Sequence, residues 1–378
     1  MSFCLKYCFQ TLALAALGYV FAVAWLSHFQ KTVVLKRSPL VRSWSGPTPD
    51  ADLLRRVFNY SALPRVPDCS WNGSFVGAVA PRLLILVKSG AGEFEERQTI
   101  RETWGGIARN LTIPTVFAVG EPKYRGPSAA KLRAEFERHV DLLVADFPDT
   151  YDNMPLKTLS ALIWYYQHFR PDSEACRVDR APTIFFTDTD VILMPENLLQ
   201  FVSDLPPSYS NTITGHCWLK GAPVNRDKSD PKHYISTKTW PGSRYPPYCS
   251  GSGFLLTPDV VVRLLSALPG ASPSAVRDWL AGFEHLNDVV FTGVLRKLAD
   301  VQLKHTERVV YFPVSELEPC DRFFISAHDY KPVRVFRKHW RRFRLNFSAC
   351  SSSIFQDSKR KFRNFFRWLG AKLGISVT

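Results

Sequence analysis

Asp188-Thr189-Asp190 follows directly on the apolar run Ile184-Phe185-Phe186. On an extended chain residues i and i+2 face the same way, so both carboxylates can converge on one cation while Thr189 points elsewhere. Oxygen ligands favour Mg²⁺ or Mn²⁺, ions that also grip a diphosphate and neutralise it as it leaves. A lone Asp-x-Asp also reads as a solvated acidic turn. Its place at a strand end in an α/β domain brings the metal reading level with that alternative. Glu284 and Asp288, in Glu284-His285-Leu286-Asn287-Asp288, are potential bases where a helix should begin. A transfer that inverts an anomeric centre needs one carboxylate to take the acceptor hydroxyl's proton, and an acid at a helix start also simply favours the macrodipole. Lys88, Arg97 and Arg101 are cations behind the first strand that can meet phosphate, although helix-surface arginines are usually solvated. In Tyr245-Pro246-Pro247-Tyr248-Cys249-Ser250-Gly251-Ser252-Gly253 the tyrosines offer flat faces to a sugar ring. Gly251 and Gly253 permit close backbone approach to a ligand, and a tight turn before a strand explains the same residues.

These residues need a scaffold that delivers them to one place. Leu83 to Val87, Thr115 to Val119, Asp141 to Ala145 and Thr183 to Thr187 read as strands, the first, second and fourth buried on both faces. Between them, Glu93 to Trp104 and Lys131 to His139 read as helices. Leu159, Leu162, Ile163 and Tyr166 mark one face of an amphipathic helix after Pro155. Alternating strands and helices predict an α/β domain with a mostly parallel central sheet flanked by helices, and ligands at the carboxyl ends of the strands. Pro206 to Pro247 should form long loops. Phe254 to Leu256 should lead into a helix with Thr257 as N-cap and Pro258 at its first position, and a final helix should run from Asn287 to Leu298.

In this order, the motifs resemble the inverting β-1,3-glycosyltransferases, the family of the β-1,3-galactosyltransferases and β-1,3-N-acetylglucosaminyltransferases. The markers are Leu83-Leu84-Ile85-Leu86-Val87-Lys88-Ser89, Arg97 through Arg101-Glu102-Thr103-Trp104-Gly105, Asp146 to Asn153, Leu156-Lys157-Thr158-Leu159, the Asp-Thr-Asp, the Tyr-Pro-Pro-Tyr-Cys-Ser-Gly run and Asp288-Val289. They cover about two-thirds of the chain, from Arg82 to Lys331. The resemblance implies a GT-A fold, a UDP-sugar donor with Mn²⁺ (or Mg²⁺), and a type II topology in the Golgi membrane. It implies metal binding by Asp188 and Asp190, with His328 near the metal, and Asp288 as catalytic base. Lys88, Arg97, Arg101, Asp149, Lys157 and Asp188 would contact the nucleotide. Tyr245, Tyr248, Gly251, Gly253 and Glu284 would meet the donor sugar or the acceptor. UDP-galactose is the donor expected, N-acetylglucosamine the nearest alternative sugar, and an inactive lumenal chaperone or glycan-binding relative the rival from another class. Two positions depart from the family: Thr189 in the middle of the acidic triplet and Asn287 where Glu is usual. Loss of that second charge should lower the pKa of Asp288 or change acceptor contacts.

Composition sets the rest. Of the net charge of +14, a surplus of +12 lies between Lys331 and Thr378, where 13 Lys and Arg face one acid, Asp357. The body is nearly neutral, so nucleic acid is not an expected partner. Tyr7 to Gln30 carries no charge over 24 residues, long enough to cross a bilayer core, with a cleaved signal peptide as the competing reading. The expected divisions are a cytoplasmic tail (1–6), an anchor (7–30), a proline-bearing stem (31–81), a catalytic domain (82–330) and a basic tail (331–378). In that tail Phe362, Phe365, Phe366 and Leu369 form an apolar stripe suited to an anionic membrane, to a polyanionic acceptor, or to packing on the domain. Asn59, Asn72, Asn110 and Asn346 are N-glycosylation acceptors, consistent with a lumenal body. Six of the eight cysteines lie beyond the apolar segment and can form up to three disulfides there.

Overall fold

A computed structural model of the chain describes residues 46–67, 82–122, 126–172, 181–206, 208–315 and 323–346. The strands are β1 (Tyr60–Ala62), β2 (Leu83–Lys88), β3 (Thr115–Glu121), β4 (Leu142–Pro148), β5 (Thr183–Asp188), β6 (Ile192–Leu193), β7 (Thr212–Trp218), β8 (Tyr248–Leu256), β9 (Gln302–His305), β10 (Val309–Val310) and β11 (Ser326–Ala327). Eight of them form one sheet in the order β1-β4-β3-β2-β5-β8-β7-β9, and β10-β11-β6 form a second. In the large sheet β4, β3, β2, β5, β7 and β9 run the same way; β1 and β8 run against them. The sheet is mostly parallel and flanked by helices, as a GT-A fold requires.

Period-two alternation explains why the central strands are apolar throughout. Leu84 and Leu86 enter one core with Val116, Ala118, Ile184 and Phe186. Leu83, Ile85 and Val87 enter the other with Phe117, Val119 and Phe185. Strands covered on both faces have no solvent side to leave polar. The helix Met154–Phe169 was expected to be amphipathic, yet it is buried almost all round. It is sandwiched between the sheet and the helices Ala51–Val57, Pro258–Ser266 and Pro273–Ala281.

The structure corrects several local expectations. Glu93 to Trp104 is not one helix: Phe94–Glu102 ends where Thr103 leaves helical geometry (φ −115°, ψ −116°), and a second helix runs from Trp104 to Asn110. Gly105 is required at that junction, since a Cβ there would stand 2.7 Å from the Ile100 carbonyl oxygen. The stretch Pro206 to Pro247 is not loop throughout, because it contains β7. Gly251 and Gly253 lie inside β8 rather than in a turn before it. Thr257 precedes the helix Pro258–Ser266 in extended geometry, but its hydroxyl makes no capping bond. Cys217 and Cys249 form a disulfide between β7 and β8. The other cysteines lie outside the described residues.

The folded body is wider than residues 82–330. Within the expected stem, Asp50 caps the helix Ala51–Val57 by accepting from the backbone N–H of Asp52 (3.0 Å) and Leu53 (2.9 Å). Leu53, Leu54, Val57 and Phe58 from this segment enter the core. At the other end a helix over 333–346 places Phe336, Trp340 and Phe343 in the core beside Phe324 and Tyr330. The basic residues of this helix, Arg334, Arg337, Lys338, Arg341, Arg342 and Arg344, lie off its buried face. Phe343→Ala should therefore cost about 3–5 kcal/mol of stability in chemical denaturation, as for a buried Phe. A change below about 1 kcal/mol would detach this helix from the domain. The segment 7–30 and the stripe around Phe365 lie outside the described residues. Among the described residues no helix is long and apolar enough to cross a membrane.

Candidate active site

Parallel pairing of β2 with β5 brings Lys88 and Asp188, the last residues of the two strands, into register. Their side chains form an ion pair of 3.0 Å, with Lys88 almost wholly enclosed. The Lys88 ammonium also donates to the Gly251 carbonyl oxygen at 2.7 Å. The N–H of the same residue donates to Asp288 Oδ2 at 3.2 Å, and the N–H of Val289 donates to Asp288 Oδ1 at 2.9 Å. One glycine in the antiparallel strand thus joins the end of β5 to the start of the 287–298 helix. A Cβ at Gly251 would stand 3.3 Å from Lys88 Nζ and 3.4 Å from Asp288 Cβ, so a side chain there would crowd both charges. The helix winds with π-helical turns over Val289–Leu295, immediately after Asp288.

Asp188 and Asp190 do converge, although through a tight turn at 189–190 rather than along extended chain. Asp188, Asp190 and His328 present ligand atoms within 4.8 Å of one another. His328 Nε2 lies 3.2 Å from Asp190 Oδ1, and Lys331 Nζ lies 3.0 Å from Asp190 Oδ2. The Thr189 hydroxyl turns away and donates to Glu93 Oε2 at 2.9 Å. The turn is held from below by the buried Trp104, whose indole N–H donates to the Val191 carbonyl at 3.0 Å.

Burial and these neighbours pull the carboxyl groups apart. Burial raises the pKa of Asp188 and outweighs the nearby Lys88, with the Asp190 charge pushing the same way. Burial opposes ionisation of Asp190 too, but His328 and Lys331 outweigh it and hold the group far below the usual carboxylate range. Burial disfavours the His328 cation, and the Asp190 carboxylate overcomes this and raises its pKa. Asp288 is raised by burial against the pull of Lys88 and its two backbone donors. Asn287, the neighbour that stands where the family usually has Glu, is not among the groups that set this shift. That residue is 4% exposed, and its Oδ1 has no hydrogen-bond partner among the described residues.

Other expected site residues are placed differently. Arg97 is wholly buried, with its guanidinium bonded to Glu135 and to Ser89 Oγ and the Gly90 and Ala91 carbonyls. Arg101 is spent on Asp141 and Glu135, over the Phe117 ring. Neither arginine faces the cation cluster. Both act as internal ties, and Arg97 fixes the loop after β2. Asp149 and Lys157 pair with each other at 2.7 Å while Lys157 donates to the Ser89 carbonyl at 2.6 Å and Asp149 accepts from the Gly120 N–H at 3.2 Å. They staple the ends of β2, β3 and β4. A Cβ at Gly253 would meet Phe185 at 2.9 Å and Val309 at 3.0 Å, so this glycine serves sheet packing, not approach to a ligand. Glu284 accepts from the Thr239 hydroxyl at 2.8 Å. Tyr248 stacks on Trp218 at 4.8 Å and packs edge-on to Tyr245. Burial raises the pKa of both tyrosines, Tyr245 to about 12, and the Asp288 charge adds to it. Asn59 and Asn110 are exposed, Asn346 ends the described 333–346 helix, and Asn72 lies outside the described residues.

Three site residues escape motif reading. Lys331 belongs to the presumed tail yet sits on Asp190. Glu93 holds the turn through Thr189 and also accepts from the Gly90 N–H at 2.7 Å. Tyr151 is half-exposed, stacks on His285 at 5.0 Å, and has its pKa raised by burial and by the charges of Asp288 and Asp188. Only Tyr151 lay inside a quoted motif, and nothing in that motif set it apart.

A galactosyltransferase family model matches residues 95–306, more than half of the chain. The lactosylceramide 1,3-N-acetyl-β-D-glucosaminyltransferase B of Danio rerio is 32% identical over 234 residues, covering 58% of this chain and 54% of that protein. The β-1,3-galactosyltransferase 2 of Mus musculus is 27% identical over 289 residues, covering 74% and 63%. The UDP-GalNAc:β-1,3-N-acetylgalactosaminyltransferase 1 of Mus spicilegus is 29% identical over 263 residues, covering 68% and 72%. The chain thus spans 54% and 63% of the length of the first two relatives.

Proposed function

The chain belongs to the galactosyltransferase family, and on that premise we propose that it is an inverting, metal-dependent β-1,3-galactosyltransferase, moving galactose from UDP-galactose to a hydroxyl of a glycan acceptor. The observation that carries this reading is the meeting of two sites at the carboxyl ends of the central strands β2 and β5. The Asp188, Asp190 and His328 cluster stands on one side of Lys88, and Asp288 on the other, joined through Gly251. Two carboxylates and an imidazole suit Mn²⁺ or a related divalent ion, which when bound supplies positive charge to the departing diphosphate.

Asp288 accepts the proton of the acceptor hydroxyl as its oxygen bonds to the anomeric carbon. The bond from that carbon to the diphosphate oxygen breaks on the opposite face. Burial makes Asp288 a stronger base than an ordinary carboxylate, and the Gly251 and Val289 N–H groups fix its orientation. Trp218, Tyr248 and Tyr245 pack ring on ring as an aromatic surface suited to the acceptor's sugar rings. The named relatives transfer N-acetylglucosamine, galactose and N-acetylgalactosamine, so the donor sugar is the finest part of this proposal. The sequons and the apolar 7–30 segment support a lumenal catalytic domain on an N-terminal anchor, and the family resemblance supports a type II protein of the Golgi membrane.

The test uses the full chain in detergent with Mn²⁺ and a panel of UDP-sugars, with and without β-linked glycan acceptors. UDP-galactose should release UDP slowly alone and at least about tenfold faster with its acceptor. Release from UDP-N-acetylglucosamine instead would replace the donor. No release or transfer from any UDP-sugar would favour a binding-only relative.

A further inference from the structure

We propose that Lys331 is a diphosphate-binding residue, held on Asp190 until a nucleotide sugar arrives. The inference rests on the nucleotide-sugar reading above. Two lysines serve the two acids of the Asp-Thr-Asp turn, and their surroundings differ. Lys88 is 2% exposed and committed to Asp188 and the Gly251 carbonyl, so it has nowhere to go. Lys331 is 57% exposed while its partner Asp190 is 6% exposed. The ammonium therefore lies on the solvent side of a buried carboxylate, the side from which a ligand must enter.

The backbone beneath Lys331 is fixed. The N–H of Tyr330 donates to the Asp190 carbonyl at 3.0 Å, and the Tyr330 hydroxyl bonds to both the N–H and the carbonyl of Val314 at 2.9 Å. Phe336 anchors the helix that follows. Any motion is thus confined to the flexible four-carbon side chain. His328 and Lys331 occupy the two oxygens of Asp190 between them. Once Asp190 and His328 are engaged by a divalent ion, the ammonium faces repulsion instead of attraction. A diphosphate beside that ion is the nearest partner with the opposite charge. Lys331 thus competes with the metal in the empty site and supports the anion in the filled one.

The two roles predict effects of opposite sign. In calorimetry on the full chain in detergent, Lys331→Met should bind Mn²⁺ alone about threefold or more tightly, the scale of a partly exposed ion pair. The same variant should bind UDP at saturating Mn²⁺ at least about tenfold more weakly, the loss of one charge-assisted hydrogen bond. Its preference for UDP over UMP should shrink in proportion, and Lys331→Arg should restore UDP affinity. UDP affinity within twofold of wild type in Lys331→Met would overturn the proposal. So would a parallel weakening of Mn²⁺ and UDP, which marks a merely structural lysine. Wild-type protein that fails to bind UDP with Mn²⁺ would instead remove the nucleotide-sugar reading, and this inference with it.

Discussion

Asp288→Asn should leave UDP affinity within about threefold of wild type while lowering kcat by on the order of 10³-fold, the scale of a lost general base. The substitution keeps the shape of the side chain and an oxygen for the Gly251 or Val289 N–H, so the fold and the cation cluster stay in place. What disappears is the capacity to accept a proton. Wild-type turnover should carry the signature of the same group. Since the basic form does the work and burial raises its pKa, activity should fall with acid as pH descends through a value above the ordinary carboxylate range. Asp288→Asn should have no such limb in its residual rate. A variant with near-normal turnover would transfer the role of base to another residue.

Asp190→Asn should be nearly as damaging by a different route. Removing this charge leaves Asp188 and His328 to hold the ion, and Lys331 loses its partner. A metal's contribution to a leaving group amounts to several kcal/mol, so kcat/KM should drop on the order of 10³-fold at wild-type saturating Mn²⁺. The half-saturating Mn²⁺ concentration should rise about tenfold or more. Chelator should silence wild-type protein, and added Mn²⁺ should restore it. Transfer that persists undiminished in excess chelator would exclude the metal assignment.

What could be read from sequence depended on how local each signal was. The central strands were legible because burial on both faces writes an unbroken apolar run, as in Leu83 to Val87. Asp188 and Asp190 stood out as candidates because the end of such a strand is where ligands bind, and Asp288 because a helix start was visible behind it. Arg97 and Arg101 misled for the opposite reason. Their partners Glu135 and Asp141 lie far along the chain, and a charged residue in a helix pattern looks the same whether it faces solvent or a buried acid. Lys331 failed in the same way, since its contact with Asp190 is made by tertiary folding alone. The 333–346 helix had its pattern in plain view, with Phe336, Trp340 and Phe343 on one face. The basic surplus around them drew attention to the solvent side instead. Gly253 shows a further limit: a glycine needed for sheet packing and one needed between two buried charges are identical in sequence, two residues apart.

Gly251 accepts from Lys88 at its carbonyl and donates to Asp288 from its N–H, groups of the two successive peptide units that meet at its Cα. The halves of the site are in this sense wired through a single residue with no side chain. A side chain at position 251 would press on both halves at once, on the Lys88 ammonium and on Asp288.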